Sequence, residues 1–407
     1  LKGWEGVHPA EGNRAERIRR QQKIKKALAA DAQEEAEKAT VHDLFSSWIA
    51  EGVARKDGNK DLIRRFQKDV IPVVGKTKLK EIESTDVVFL LLEVKKRGHA
   101  DDPQRNMNRS IEALYNDLKQ MFRWAQRRKA WRALLVESGN PCDEIELEKV
   151  PNLIDFDYTE FRDRVLSDHE IRELSRALAR LEDDYAALPA GKKYSSTRPV
   201  QKTSQIALWL CLSTICRIGE LLMAEWVHVD FAQRTWFIPA VNTKSKKGRS
   251  QDLTVHLSDF ALQQFRMLCA ITGDTPFCFP NRYKNNHVCL KSVSKMVGDR
   301  QAQFKKRTKS LSKRTQDNSL VLSSGRQGAW TPHDLRRTGA TLMQKLGVSL
   351  EIIDRCQNHV LDGAKTRRHY LHYDYQQEMK EAWDKLGAHL EAILYNDNVL
   401  TFNKKIG

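Results

Sequence analysis

Four short segments carry polar and charged side chains at places where no structural periodicity requires them. They are CRIGE (Cys216–Glu220), TKSKK (Thr243–Lys247), HDLRR (His333–Arg337) and QNHVLDGAKTRRHYLHY (Gln357–Tyr373). Arg217 follows directly on the apolar run Ile206–Cys216, so its guanidinium starts from an interior position and needs an anionic partner. Two partners suit it: a carboxylate such as Glu220, or a bound phosphate. In HDLRR, His333 and Arg336 are spaced to share one face near the start of a helix, where the backbone favours an anion. A histidine at such a place also serves as a cap or a satisfied core residue. Taken together, two arginines and an imidazole make a donor set able to surround a phosphodiester.

The order of these motifs carries a family resemblance. Arg217 in RIGELL, a lysine in a strand-joining loop, His333 and Arg336 in HDLRRT, His359 after a short helix and a tyrosine beyond it resemble the active site of the tyrosine recombinases, also called phage integrases. The pattern is similar to the satellite-phage-type integrases of bacterial genomic islands and covers the chain from Thr40 to about Leu386. The resemblance implies that Tyr370 attacks a DNA phosphodiester, giving a 3′-phosphotyrosine and a free 5′-hydroxyl. Its phenol, with an ordinary pKa of about 10, needs neighbouring cations to become a nucleophile. By the same resemblance, Arg217 and Arg336 clamp the non-bridging oxygens, which a planar fork does better than an ammonium. It also implies that His333 assists proton transfer at the nucleophile, His359 donates to the phosphate, and Lys244 protonates the leaving 5′-oxygen.

No metal and no cofactor are implied. The loop TKSKKGRSQD exceeds the usual hairpin length, so Lys246 and Lys247 compete with Lys244 as general acid. Asn358 stands where a glycine is commoner, and Tyr373 and Tyr375 lie near Tyr370, which the spacing after His359 favours. Arg367, Arg368, His369 and His372 read as structural or phosphate contacts, and the pair His287 and Cys289 lacks companions for a metal site.

The elements that must position these residues emerge from capping and periodicity. Residues 1–39 read as an N-terminal basic and helical arm, with a basic run Arg14–Lys26, and part of a module before Leu1 is expected to be missing. Residues 40–138 read as a small all-helical domain, which the resemblance makes a SAM-like core-binding domain. Thr40 caps a helix bearing Leu44, Phe45, Trp48 and Ile49; Asp61–Val70 leads into a turn at Pro72–Gly75; Ser84 caps a helix that stops at Gly98; and a stripe runs from Ile111 to Ala125. The basic run Arg123–Arg132, interleaved with Trp124 and Trp131, suits either solvent or phosphate.

Residues 139–164 read as a linker, 165–385 as the catalytic domain and 386–407 as a C-terminal tail. Ser167 and Glu170 form a capping box, Ile206–Cys216 is a helix buried all round, Thr235–Ile238 and Asp252–Leu257 are strands, and Ser258 caps another helix. The basic stretch Lys305–Arg314 reads as a surface loop. The stripe Leu386, Leu390, Ile393 and Leu394 could dock on a neighbouring protomer or on its own domain. The expected fold is mainly α with a small β-sheet, arranged as a two-domain DNA clamp.

Composition fits this reading. The chain has 407 residues, 69 Lys+Arg against 53 Asp+Glu and a net charge of +16, which points to a polyanionic partner. The seven cysteines are scattered without a C-x-x-C pair, which suggests neither a disulfide framework nor a zinc cluster and suits a reducing cytoplasm. No signal peptide is evident and no apolar run is long enough for a membrane span.

The partners implied are double-stranded DNA attachment sites, a homotetramer assembled on DNA, and accessory DNA-bending or directionality proteins; the location implied is the cytoplasm, at the nucleoid. A catalytically silent DNA-binding regulator and a type IB topoisomerase are the alternative functions.

Overall fold

The computed structural model describes residue 23 and residues 38–395, apart from 56, 99–105, 136–138, 156–162, 194–195, 244–250, 306–314 and 360–372. The chain divides into two units, residues 1–160 and 161–407. It is mostly helical with one small sheet.

In the first unit, α1 (Val41–Glu51) opens on a reciprocal capping box between Thr40 and Asp43 and buries Leu44, Phe45 and Trp48. The chain then enters α2 (Lys60–Arg65) and runs on through a wider turn, Phe66–Val70, into α3 (Ile71–Val74). Pro72 was expected in a turn but sits in this helical run. The bond from Ile71 N–H reaches back five residues to the Phe66 carbonyl, and that widening relieves the clash a proline ring imposes on the preceding turn. Helix α4 (Ser84–Arg97) is capped by Glu83 with Asp86, one residue ahead of the expected Ser84, and ends at Gly98 with φ +67°.

Helix α5 (Asn108–Gln126) is the spine of this unit and buries Ile111, Leu114, Leu118, Met121, Phe122 and Ala125. On its other flank the buried Asp117 accepts from Arg55 and Arg65, at 2.5 and 2.6 Å. Part of the expected linker belongs to this unit's core: Cys142, Ile145, Leu147 and Leu153 are buried with it, and the Tyr115 hydroxyl donates to the carbonyls of Cys142 and Ile145. The basic run past Trp124 breaks at Arg127, Arg128 lies over the Trp124 ring at 4.5 Å, and a short helix α6 (Lys129–Arg132) follows.

The second unit begins with α7 (Asp168–Ala187), whose Ser167–Glu170 box forms as its sequence predicts. Helix α8 (Lys202–Thr214) is apolar around its circumference because helices pack on it from several sides. It leads into α9 (Ile218–Leu222) and a three-stranded antiparallel sheet in the order β1 (Val229–Asp230), β2 (Thr235–Ile238), β3 (Leu253–His256), with Trp236 opposite Val255 and Ile238 opposite Leu253. Strand β1, only two residues long, shows no alternation in sequence.

Helices α10 (Asp259–Thr272), α11 (Ser292–Asp299), α12 (Pro332–Lys345), α13 (Leu350–Cys356) and α14 (Gln376–Tyr395) follow the sheet among the described residues. Gly339 lets α12 approach α8 backbone to backbone: a Cβ there would stand 2.4 Å from the Leu212 carbonyl oxygen. Helix α14 buries Met379, Trp383, Leu386, Leu390 and Ile393 in the same core as α8, so the boundary expected after residue 385 falls inside a packed helix. The stripe foreseen for docking lies on its own unit up to Tyr395.

Candidate active site

Helix α8 delivers the first candidate. Its last carbonyl, on Thr214, accepts from the Trp383 indole at 3.1 Å, and Ile215 then takes a left-handed backbone conformation with φ 51° while fully buried. A β-branched residue there costs about 1–2 kcal/mol, which the surrounding core must offset. The kink places Arg217 at the start of α9. Its backbone N–H donates to Glu220 Oε2 at 2.9 Å and its Nη1 to Oε1 at 2.6 Å. The Arg217 side chain is 25% exposed against 3% for Glu220, so a buried carboxylate holds a guanidinium whose other face reaches solvent. The carboxylate partner weighed from sequence is therefore present, and it orients the arginine.

Helix α12 delivers the second group. Thr331 and Asp334 form a capping box, with Pro332 at the first helical position, where its missing N–H costs nothing. Arg336 is 3% exposed. Its Nη2 donates to the Gln357 carbonyl at 2.8 Å and approaches His359 Nε2 at 3.2 Å, whereas its Nη1 is buried without a hydrogen-bond partner among the described residues. Burial, and then the like charge of Arg217, depress the Arg336 pKa, so this cation stands where an anion is strongly favoured. The pKa of His333 is also lowered, first by partial desolvation, although the side chain still meets solvent, and then by Arg337 and Arg336, with Asp334 opposing and Arg217 adding to the effect. The imidazole is thereby kept neutral and able to accept a proton.

The third group follows α13. Asn358 has φ 52°, a left-handed conformation that asparagine tolerates better than other residues with a side chain, which explains its substitution for the commoner glycine. Its side chain donates to the Gln251 carbonyl at 3.0 Å, tying this turn to the start of β3. His359 is exposed and pairs through Nδ1 with Asp354 Oδ1 at 2.9 Å.

Thus Arg217, Arg336 and His333 are coupled electrostatically, and Arg336 is hydrogen-bonded to His359. Lys244, its competitors Lys246 and Lys247, Tyr370, and Arg367, Arg368, His369 and His372 lie outside the described residues, as do most of the basic stretch 305–314 and the arm before residue 38. Tyr373 is engaged elsewhere: its hydroxyl donates to Glu378 at 3.1 Å, which raises its phenol pKa and disfavours a phenolate. Tyr375 lies under the Arg355 guanidinium, 3.9 Å from ring centroid to carbon. Asp354 was not singled out by sequence reasoning; its spacing before His359 was the available signal. His287 Nδ1 meets the Val288 carbonyl, and no cluster of metal-ligating side chains occurs among the described residues. Nor is any helix among them long and apolar enough to cross a membrane.

Residues 166–377 match the sequence profile of the phage integrase family. The prophage integrase IntA of Escherichia coli (strain K12) is 22% identical over 415 residues, spanning 98% of this chain and 84% of that protein. Among solved structures, the Tn1549 transposon integrase in complex with a circular intermediate DNA superimposes with a TM-score of 0.53 at 17% identity, covering 84% of this chain and 99% of that one. A lambda integrase tetramer bound to a Holliday junction gives a TM-score of 0.51 at 15% identity, covering 83% and 82%.

Proposed function

The chain belongs to the phage integrase family, and from that premise we propose that it is a site-specific DNA recombinase that integrates or excises a mobile element through a 3′-phosphotyrosine intermediate. The observation that carries this reading is the buried Arg336, whose Nη1 lacks a partner among the described residues while its other nitrogen is held beside His359. A cation in that state is poised for a phosphate oxygen. Removing one such donor from a transition state typically costs about 10²–10³ in rate.

In the reaction, Tyr370 attacks phosphorus and gives up its phenolic proton with help from the neutral His333. The P–O5′ bond breaks, and the departing 5′-oxygen takes a proton from Lys244, or from Lys246 or Lys247 in the same loop. Arg217, held by Glu220, and Arg336 carry the charge of the five-coordinate phosphorus, and His359 donates to the same phosphate. The phosphotyrosine retains the energy of the broken bond, so a different 5′-hydroxyl reseals the strand when the steps reverse. The first unit serves as the core-binding domain and the second as the catalytic domain, on a double-stranded attachment site. Strand exchange between two duplexes requires four active sites, hence a homotetramer on DNA, with accessory DNA-bending or directionality proteins setting the outcome.

The test is a nicked half-site DNA that traps the covalent adduct. Wild type and Tyr373→Phe should form the adduct and Tyr370→Phe should not. An adduct that persists in Tyr370→Phe overturns the nucleophile assignment, and absence of any adduct in the wild type, with DNA bound, favours a silent DNA-binding regulator.

A further inference from the structure

The histidine that follows α13 is held on both sides by groups of fixed hydrogen-bonding sense. A carboxylate only accepts, so Nδ1 of His359, 2.9 Å from Asp354 Oδ1, carries a proton. A guanidinium only donates, so Nε2, 3.2 Å from Arg336 Nη2, accepts from the buried arginine in this arrangement, and it donates to a phosphate only when the ring is doubly protonated, with Asp354 still accepting from Nδ1. Neither nitrogen is interchangeable with the other in this arrangement, and the ring has one rotation that satisfies both partners. A third bond, from His359 N–H to the Asp354 carbonyl at 2.9 Å, fixes the backbone of the turn independently of the carboxylate.

We propose that Asp354 is a positioning residue for strand cleavage, acting through His359 by fixing which imidazole nitrogen faces Arg336 and the phosphate it serves. The proposal rests on the reading of His359 as a phosphate contact. Without the carboxylate the imidazole turns about its side-chain bonds, and Nε2 leaves the arginine for much of the time. An imidazole placed about 1 Å from its productive position loses on the order of a hundredfold in its contribution. Because the main-chain bond remains, the turn itself persists when the carboxylate is removed. Both side chains are 42% exposed, so the substitutions leave the core of the unit untouched.

The experiment is a double-mutant cycle in the full chain, read as single-turnover cleavage of a nicked half-site DNA alongside the dissociation constant for the same DNA. Asp354→Ala is expected to cleave about tenfold or more slowly than wild type, with DNA affinity within about twofold. Asp354→Glu, which restores a carboxylate on a longer stem, should recover part of the rate. The decisive comparison is Asp354→Ala with His359→Ala, which should cleave no more slowly than His359→Ala alone, since an effect exerted through the imidazole vanishes with it. Asp354→Ala cleaving at the wild-type rate, or slowing His359→Ala by the same factor as wild type, overturns the proposal while leaving the reading of His359 intact. His359→Ala cleaving like wild type instead refutes that reading and the proposal with it.

Discussion

Gly339→Ala adds one methyl group where α12 meets α8, the contact that holds Arg336 against the segment bearing Arg217. A Cβ built at Gly339 lies 2.4 Å from the Leu212 carbonyl oxygen and 2.5 Å from Ile215 Cγ2. Ordinary contact requires about 3.4 Å or more, so the two helices must part by roughly 1 Å. The obstacle is backbone and a buried, already strained isoleucine, neither of which rotates away. Alanine favours helix over glycine by about 1 kcal/mol, whereas overpacking a filled core costs about 1–3 kcal/mol, so the expected net change is a destabilisation of up to about 2 kcal/mol.

The larger effect is on chemistry. A shift of about 1 Å between the two arginines proposed to grip one phosphate costs on the order of a hundredfold in rate. Urea denaturation measures the first quantity and single-turnover cleavage the second, with DNA affinity as the control. Gly339→Ala at wild-type stability with undiminished cleavage would refute the claim that this backbone approach sets the arginine geometry.

Two further outcomes arise from the electrostatics of the site. Arg336→Met removes a buried, incompletely paired cation in favour of an apolar side chain of similar size, so it should abolish cleavage while leaving the thermal midpoint unchanged or higher; a fall of several degrees would mean the arginine is held for stability. His333 has a folded-state pKa below its ordinary value of about 6.5, so the unfolded chain binds its proton first and stability falls as pH drops from about 6.5 through the lowered value. His333→Gln should flatten that part of the stability–pH curve measured by thermal denaturation, and an unchanged slope would contradict the assignment.

Much of this architecture was readable because it depends on local rules. The boxes at Thr40 and Ser167 announce their helices, α5 carries its stripe without interruption, and the all-round apolar α8 could only be central. The order of Arg217, His333, Arg336 and His359 carries the family resemblance, which the profile match over residues 166–377 bears out. What failed to show depends on neighbours distant in sequence. Residues 139–155 have no period, yet they pack, since their apolar side chains and carbonyls find partners on α5. The docking of α14 on its own unit was undecidable from its stripe, because a stripe does not say what it faces. Asp354 and the left-handed Asn358 acquire their meaning only when the turn after α13 meets Arg336 and the start of β3.

The bond from Trp383 to the Thr214 carbonyl ties the order of synthesis to the birth of activity. Helix α8, which presents Arg217, leaves the ribosome well before α14, and until α14 arrives the end of α8 lacks both its hydrogen-bond donor and the hydrophobic face that covers it. The candidate nucleophile at Tyr370 is translated in the interval, just ahead of the helix that completes the core. A nascent chain therefore carries every proposed catalytic side chain before it has a set active site, and competence to cut DNA is deferred until α14 has docked.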